Sequence, residues 1–106
     1  MEKAKDTTGK YVPTDKQIEN WKKQYGDVFC YEADDFACYL RRPDRKAIGA
    51  AGVKGGDDFI KQGEVLIANA WLGGNDELRD EDRYFLGLQK HINGLVEVKT
   101  GELKKL

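Results

Sequence analysis

The chain has 106 residues, a length that suits one domain with a modest hydrophobic core. Its 18 basic and 19 acidic residues nearly cancel to a formal net charge of −1, which argues against a general nucleic-acid coat. No apolar run is long enough for a membrane span, and the first ten residues lack the apolar core of a signal peptide. We therefore expect a soluble, cytoplasmic protein that needs no membrane.

The beginning of the chain combines a charged segment with a clear helix signal. Residues 1–12 carry no hydrophobic pattern, which predicts a flexible arm. Thr14, followed three residues later by Gln17, has the spacing of a capping box, and Gly26 is a typical helix stop. This pattern predicts a short amphipathic helix over residues 15–25.

Two runs rich in aromatic residues follow, at residues 27–33 and 36–42, and their composition is typical of β-strands. They predict a β-hairpin. A three-residue loop at 33–35 would place Cys30 opposite Cys38, whereas a two-residue loop would shift the pairing by one residue. The sequence leaves both registers open.

The second half of the chain has helical periodicity. Pro43 suits the first turn of a helix, and Gly55 and Gly56 end it. Another helix begins at Asp57 or Asp58, with a broad apolar stripe that includes Phe59, Ile60 and Trp71. Its end is predicted at residues 72–75, where two glycines and an asparagine indicate a turn.

The last long helix begins with three acidic residues, Asp80, Glu81 and Asp82, as the helix dipole favours. Its apolar stripe comprises Tyr84, Phe85, Leu88, Ile92, Leu95 and Val96. The segment after it could continue as a frayed helix or pair as a short edge strand. The pattern predicts an α+β fold: an N-terminal helix, a β-hairpin and two to three helices in a single domain over residues 13–106.

Residues that could carry chemistry are few. Cys30 and Cys38 have no CxxC spacing, so we interpret them as buried packing residues rather than a redox or metal pair. His91 is the only histidine, and the chain contains no serine. The acidic clusters lack the spacing of a calcium loop. The sequence thus predicts no catalytic residues, no metal and no cofactor, and hence a protein that is not an enzyme.

One compact group of cations, the basic corner, comprises Arg41, Arg42, Arg45 and Lys46 beside Tyr39. It could be a structural strand-to-helix corner, an anchor for a protein partner, or a weak grip on nucleic acid. Trp21 and Trp71 fall on apolar helix faces, yet we expect a core of this size to leave some aromatics for an interface. The candidate partner-binding residues are Tyr39, Arg41, Arg42, Arg45 and Trp71.

Three sequence landmarks suggest a family: WKKQYGDVF at residues 21–29, YLRRPDRKA at 39–47 and NAWLGG at 69–74. Together with the acidic start of the last helix, their order resembles small tail-assembly chaperones of long-tailed bacteriophages and prophages. The resemblance spans residues 14–96. It implies a non-enzymatic protein in the cytoplasm of the bacterial host. Such a protein binds the tape-measure protein or a tail subunit transiently. Apart from the resemblance, one face of the hairpin or the region of residues 49–56 could pack against a second copy, so a homo-oligomer is possible. The alternative is a small nucleic-acid-associated accessory protein that uses the basic corner.

Overall fold

The computed structural model describes residues 4–5, 9–96 and 98–106 and confirms the α+β fold. Two short strands, β1 (Ala4–Lys5) and β2 (Tyr11–Val12), pair antiparallel near the beginning of the chain. A second sheet has three antiparallel strands in the order β3-β4-β5. Helices pack against one face of this sheet.

Helix α1 (Asp15–Tyr25) has the predicted boundaries. The Thr14 hydroxyl oxygen accepts a hydrogen bond from the Gln17 N–H at 3.1 Å, and the Gln17 side chain accepts one from the Thr14 N–H at 3.0 Å. Gly26, with φ of 87°, ends the helix in a conformation that side chains rarely adopt. The capping box therefore forms as the sequence indicates, and no residue of α1 is fully buried.

The predicted hairpin consists of β3 (Val28–Ala33) and β4 (Phe36–Arg41). Ala33 pairs with Phe36, so the loop has two residues, Asp34 and Asp35. Asp34 has a φ of 52°, a left-handed conformation that aspartate tolerates better than most residues. The two-residue alternative is thus the one that the chain adopts.

This register separates the two cysteines. Cys38 pairs with Tyr31, and Cys30 pairs with Tyr39, so the thiols lie on opposite faces of the sheet. Cys38 is fully buried, as predicted, but the prediction that Cys30 is buried was wrong. Neighbouring pairs in a ladder point to opposite faces, and a one-residue shift therefore decides which cysteine meets the core.

Helix α2 (Arg45–Gly55) begins two residues later than Pro43 suggested. Asp44 is its N-cap, and the Asp44 side chain accepts a hydrogen bond from the Ala47 N–H at 2.8 Å. This bond is the main reason that the pKa of Asp44 is lowered. Pro43 is buried ahead of the cap rather than in the first turn.

Helix α3 (Phe59–Ala70) is capped by Asp58, one of the two predicted starts. The segment after it does not simply turn. It forms β5 (Trp71–Gly74), which pairs with β4 and adds a third strand that the sequence did not predict. Gly74 permits the pairing, because a Cβ atom there would collide with the backbone and side chain of Cys38. The glycines that suggested a turn lie instead in a strand that packs closely against its neighbour.

The chain continues with α4 (Glu77–Asp80), α5 (Asp82–Ile92) and a 3₁₀ helix, η1 (Asn93–Leu95). Residues 98–106 are exposed and form neither the helix nor the strand that were considered for them. The main core lies between one face of the sheet and the helices. Its buried residues are Cys38, Leu40, Ala47, Ala51, Leu66, Ile67, Ala70, Leu78, Phe85, Leu88 and Ile92.

Residues 9–12 are part of the domain, contrary to the predicted boundary at residue 13. Tyr11 is only 4% exposed, and its N–H donates to Asn75 Oδ1 at 2.8 Å. The same oxygen accepts from the Ala37 N–H at 3.0 Å, while Asn75 Nδ2 donates to the Gly9 carbonyl at 2.9 Å. The buried amide thus fastens this segment to β4. The rest of the predicted flexible arm, apart from β1, lies outside the described residues.

Candidate functional site

Arg41, the first member of the basic corner, makes three contacts within the chain. Its Nε donates to the Asn69 carbonyl at 3.0 Å, and its Nη2 lies 3.7 Å from a carboxylate oxygen of Asp44. The guanidinium also covers the ring of Tyr25, with its carbon 4.7 Å from the ring centroid. Arg41 therefore joins the end of β4 to the last turn of α3 and to the end of α1.

Arg42 is held in a similar way. Its Nη1 donates to the Leu95 carbonyl at 2.9 Å, and its Nη2 lies 3.1 Å from Asp27 Oδ2. Its guanidinium carbon is 4.9 Å from the ring centroid of Phe29. Arg42 therefore ties the hairpin to the 3₁₀ helix after α5, which favours the structural interpretation for this residue.

The other half of the basic corner is open to solvent. Arg45 and Lys46 lie exposed in the first turn of α2. Because Arg41 and Arg42 are engaged by carbonyl and carboxylate oxygens, the corner presents mainly two cations to a partner. Each phosphate contact adds to the affinity for nucleic acid, so a pair of exposed cations gives only a weak electrostatic grip.

Tyr39 belongs to an aromatic cluster on the sheet face opposite the main core. Its ring centroid lies 6.1 Å from that of Tyr11 and 6.0 Å from that of Trp21. Burial, followed by the nearby Cys30 thiol, raises the pKa of Tyr39 to about 12. A Cβ atom at Gly73 would lie 2.7 Å from the Tyr11 hydroxyl oxygen, so the glycine leaves room for this cluster. Tyr39 is thus a half-buried residue that packs against the rings of Tyr11 and Trp21.

Trp71 occupies a different environment. It pairs with Leu40 in the β4–β5 ladder and packs, half-buried, against the main core. The guanidinium carbon of Arg79 lies 4.5 Å from its ring centroid. The structure therefore distributes Tyr39 and Trp71 over two packing clusters, one on each face of the sheet.

The cysteines and His91 do not form a nucleophile–base pair. Burial raises the pKa of the Cys38 thiol to about 12, which keeps it protonated and unreactive. Cys30 is exposed, but it alternates with Tyr31, whose ring lies 5.4 Å from the His91 ring. Cys30 therefore faces away from His91. The described part of the chain also contains no group of three or more potential metal ligands.

An exposed apolar surface lies where α3 begins beside α5. Phe59 is 56% exposed, Ile60 41% and Leu86 46%. Ile60 and Leu86, together with Phe85 and Asp82, line a hollow of about 230 Å³. We call Phe59, Ile60, Phe85 and Leu86 the α3–α5 surface. The sequence predicted that Phe59, Ile60 and Phe85 lie on apolar helix stripes that face the core. Its periodicity did not indicate an accessible surface here.

A hydrogen bond holds the two helices of this surface together. The buried side chain of Gln89 donates through Nε2 to the Phe59 carbonyl at 2.6 Å. Gly63 makes the approach possible, because a Cβ atom there would collide with the Gln89 amide. The exposed apolar side chains are thus presented by a braced pair of helices.

A second hollow, the β3 groove, has a volume of about 420 Å³. Its lining consists of residues 29–32 of β3 together with Leu40, His91 and Leu95. Successive side chains of a strand point to opposite faces. Four consecutive residues can line one hollow only where it runs along the edge of the strand. The β3 groove therefore follows the outer edge of the sheet.

Comparison with protein-family models, curated proteins and solved structures finds no significant match for the chain. Within the residues that the structure describes, no helix has both the length and the apolar character needed to cross a bilayer.

Proposed function

We propose that the protein is a non-enzymatic assembly chaperone that binds a helical protein partner through the α3–α5 surface. The supporting observation is the exposure of Ile60 and Leu86, which line a hollow together with the buried Phe85, and of Phe59, which precedes Ile60 in the first turn of α3. Clustered apolar side chains at a surface are typical of sites that bind another protein. An amphipathic helix presents apolar side chains three and four residues apart, which suits a row of such contacts.

The resemblance to tail-assembly chaperones supplies the partner class. We propose the tape-measure protein of a phage tail, which is long and helical and must be shielded while the tail is built in the host cytoplasm. The α3–α5 surface has about four apolar residues, far fewer than a permanent interface uses. A contact of this size suits repeated binding and release. Asp82 lines the hollow, so a basic residue flanking the apolar row of the partner helix would fit best.

The direct experiment is co-expression with a long helical tape-measure protein of a phage tail, followed by affinity capture and measurement of the complex. We expect Phe59→Asp and Leu86→Asp to weaken the complex at least ~10-fold, because each places a charge among apolar contacts. Val53→Asp is the matched control, since Val53 is 86% exposed on α2 and lies outside the hollow. It should bind as the wild type does.

Two results would overturn the proposal. One is the absence of any complex between the wild-type chain and the helical protein. The other is a complex that survives both substitutions on the α3–α5 surface. Tight, salt-dependent binding to DNA or RNA that is lost in the Arg45→Ala/Lys46→Ala variant would instead favour a nucleic-acid-associated function.

A further inference from the structure

The outer edge of β3 has the features of a strand-binding site. In the order β3-β4-β5, β3 is a terminal strand, so one row of its backbone N–H and C=O groups faces away from the sheet. The β3 groove runs along that edge, with Phe29, Leu40 and Leu95 as apolar lining. An added strand would find backbone partners on the edge and an apolar pocket for its alternate side chains.

The same chain carries a segment suited to this site. Residues 98–106 form no regular structure, and their apolar side chains are open to solvent: Val98 is 77% exposed and Leu103 99%. Leu106 is likewise fully exposed. The segment begins three residues after Leu95, which lines the groove, yet residues 98–106 do not contribute to the groove of their own chain.

The charges of the two parts are complementary. Residues 28–41, which form the hairpin, contain Glu32, Asp34 and Asp35 but only one basic residue, Arg41, which lies 3.7 Å from the Asp44 carboxylate. Residues 98–106 contain three lysines and one glutamate. The acidic hairpin attracts the basic segment. The same negative charge disfavours pairing of one β3 edge with the β3 edge of another copy.

We propose that residues 98–106 of one copy add as a strand to the β3 edge of a second copy and place an apolar side chain in its β3 groove. Each copy has one segment and one groove, so a reciprocal exchange uses both and closes as a symmetric dimer. The exchange buries Val98, Leu103 or Leu106 and pairs the open edge of β3. It is independent of the proposed chaperone function, which uses a different surface.

The first test uses the exposed Cys30 thiol as a reporter on β3. Leu103→Cys and Lys104→Cys sample the two faces of an added strand, and each variant is oxidised with copper phenanthroline and run on a non-reducing gel. We expect a covalent dimer in which one position cross-links far more strongly than the other, because neighbouring residues of a strand alternate. The dimer should disappear when Cys30→Ser is added. Cys38 does not interfere, since it is buried.

The second test measures mass in solution by light scattering after size exclusion, over a range of concentrations. The wild-type chain should exceed the mass of one copy, and Leu103→Asp/Leu106→Asp should shift it to one copy. Leu86→Asp is the matched control and should keep the wild-type mass. The proposal is overturned by a wild type that is a single copy at every concentration. It is equally overturned by a dimer that survives the double substitution, or by cross-links within one copy only.

Discussion

At the scale of single residues, Asn75 does more than its position in a glycine-rich stretch suggests. It is 3% exposed, and its side-chain amide bonds three backbone groups on two segments that are far apart along the chain. A short polar side chain of this kind is common in turns, which is why the sequence indicated a turn here. In the structure it acts as an internal fastener.

Replacement of Asn75 by alanine is expected to lower the free energy of unfolding by about 2–4 kcal/mol, because it leaves buried backbone groups of Tyr11 and Ala37 without partners. Urea denaturation followed by tryptophan fluorescence measures the change. Asn20→Ala, at an exposed position in α1, is the control and should stay within about 0.5 kcal/mol of the wild type. A similar loss in both variants would contradict the role assigned to Asn75.

Cys38 makes stability depend on pH. Burial raises the pKa of its thiol to about 12 in the folded chain, whereas an unfolded thiol has a pKa of about 8.5. Between these values the unfolded state holds fewer protons, so the free energy of unfolding falls as pH rises. The contribution is complete below pH ~8.5 and is lost progressively above it.

Between pH 8.5 and 10, the Cys38 thiol is expected to lower the free energy of unfolding of the wild type by about 2 kcal/mol. Cys38→Ala should lack this contribution and therefore lose less stability over the same range. The comparison stops at pH 10 because tyrosines and lysines titrate beyond it. Denaturation curves of the wild type and of Cys38→Ala at pH 8.5 and pH 10 give the change in the free energy of unfolding for each protein. Cys30→Ala, at the exposed position, is the control, and an identical pH dependence in the wild type and in Cys38→Ala would contradict the assignment.

At the scale of elements, the helices were predictable where local chemistry decides them. The capping box at Thr14 and the cap at Asp58 depend on residues three apart in the chain, so the sequence shows them directly. β5 depends instead on Gly74 meeting Cys38 across the sheet, a contact that no local pattern contains. For the same reason, the apolar stripe of α3 could not reveal that Phe59 and Ile60 remain exposed.

Glycines in two helices should respond to the same substitution in opposite directions. Gly49→Ala in α2 meets no neighbouring atom and should stabilise the chain by about 0.5–1 kcal/mol, because alanine favours a helix. Gly63→Ala in α3 forces its methyl group into the buried Gln89 amide and should destabilise by about 1–3 kcal/mol. Thermal unfolding of both variants should show a higher melting temperature than the wild type for Gly49→Ala and a lower one for Gly63→Ala.

A double-mutant cycle shows whether Gln89 is the cause. If the clash dominates, Gly63→Ala should cost at least ~1 kcal/mol less in a Gln89→Ala background than in the wild type. Additive effects would mean that Gly63 is needed for another reason.

At the scale of the whole molecule, Arg41 and Arg42 connect the hairpin half of the chain to its helical half. Their guanidinium groups reach carbonyl oxygens of Asn69 and Leu95, 28 and 53 residues away in the chain. Local patterns could reveal the basic corner but not which of its cations point inward. The candidate site was thus predictable as a cluster, while the division of its roles depends on tertiary contacts.

Arg41→Lys is expected to destabilise the chain by about 1–2 kcal/mol, because an ammonium cannot both donate to the Asn69 carbonyl and cover the Tyr25 ring as a planar guanidinium does. Arg45→Lys, at an exposed position in α2, should remain within about 0.5 kcal/mol of the wild type. Chemical denaturation separates the two. Equal effects would contradict the structural role of Arg41.

The Asn75 fastener also sets an order of events during synthesis. The hairpin joins residues close together in the chain, but β4 gains its second neighbour only after α2 and α3 have been made. Asn75 can then form its hydrogen bonds to Gly9 and Tyr11, which are more than sixty residues away in the chain. Contacts of such range form late, because the loop between them must close first. A nascent chain that stalls before Trp71, the first residue of β5, would therefore hold a formed hairpin with one side of β4 unpaired, a state open to proteases and chaperones.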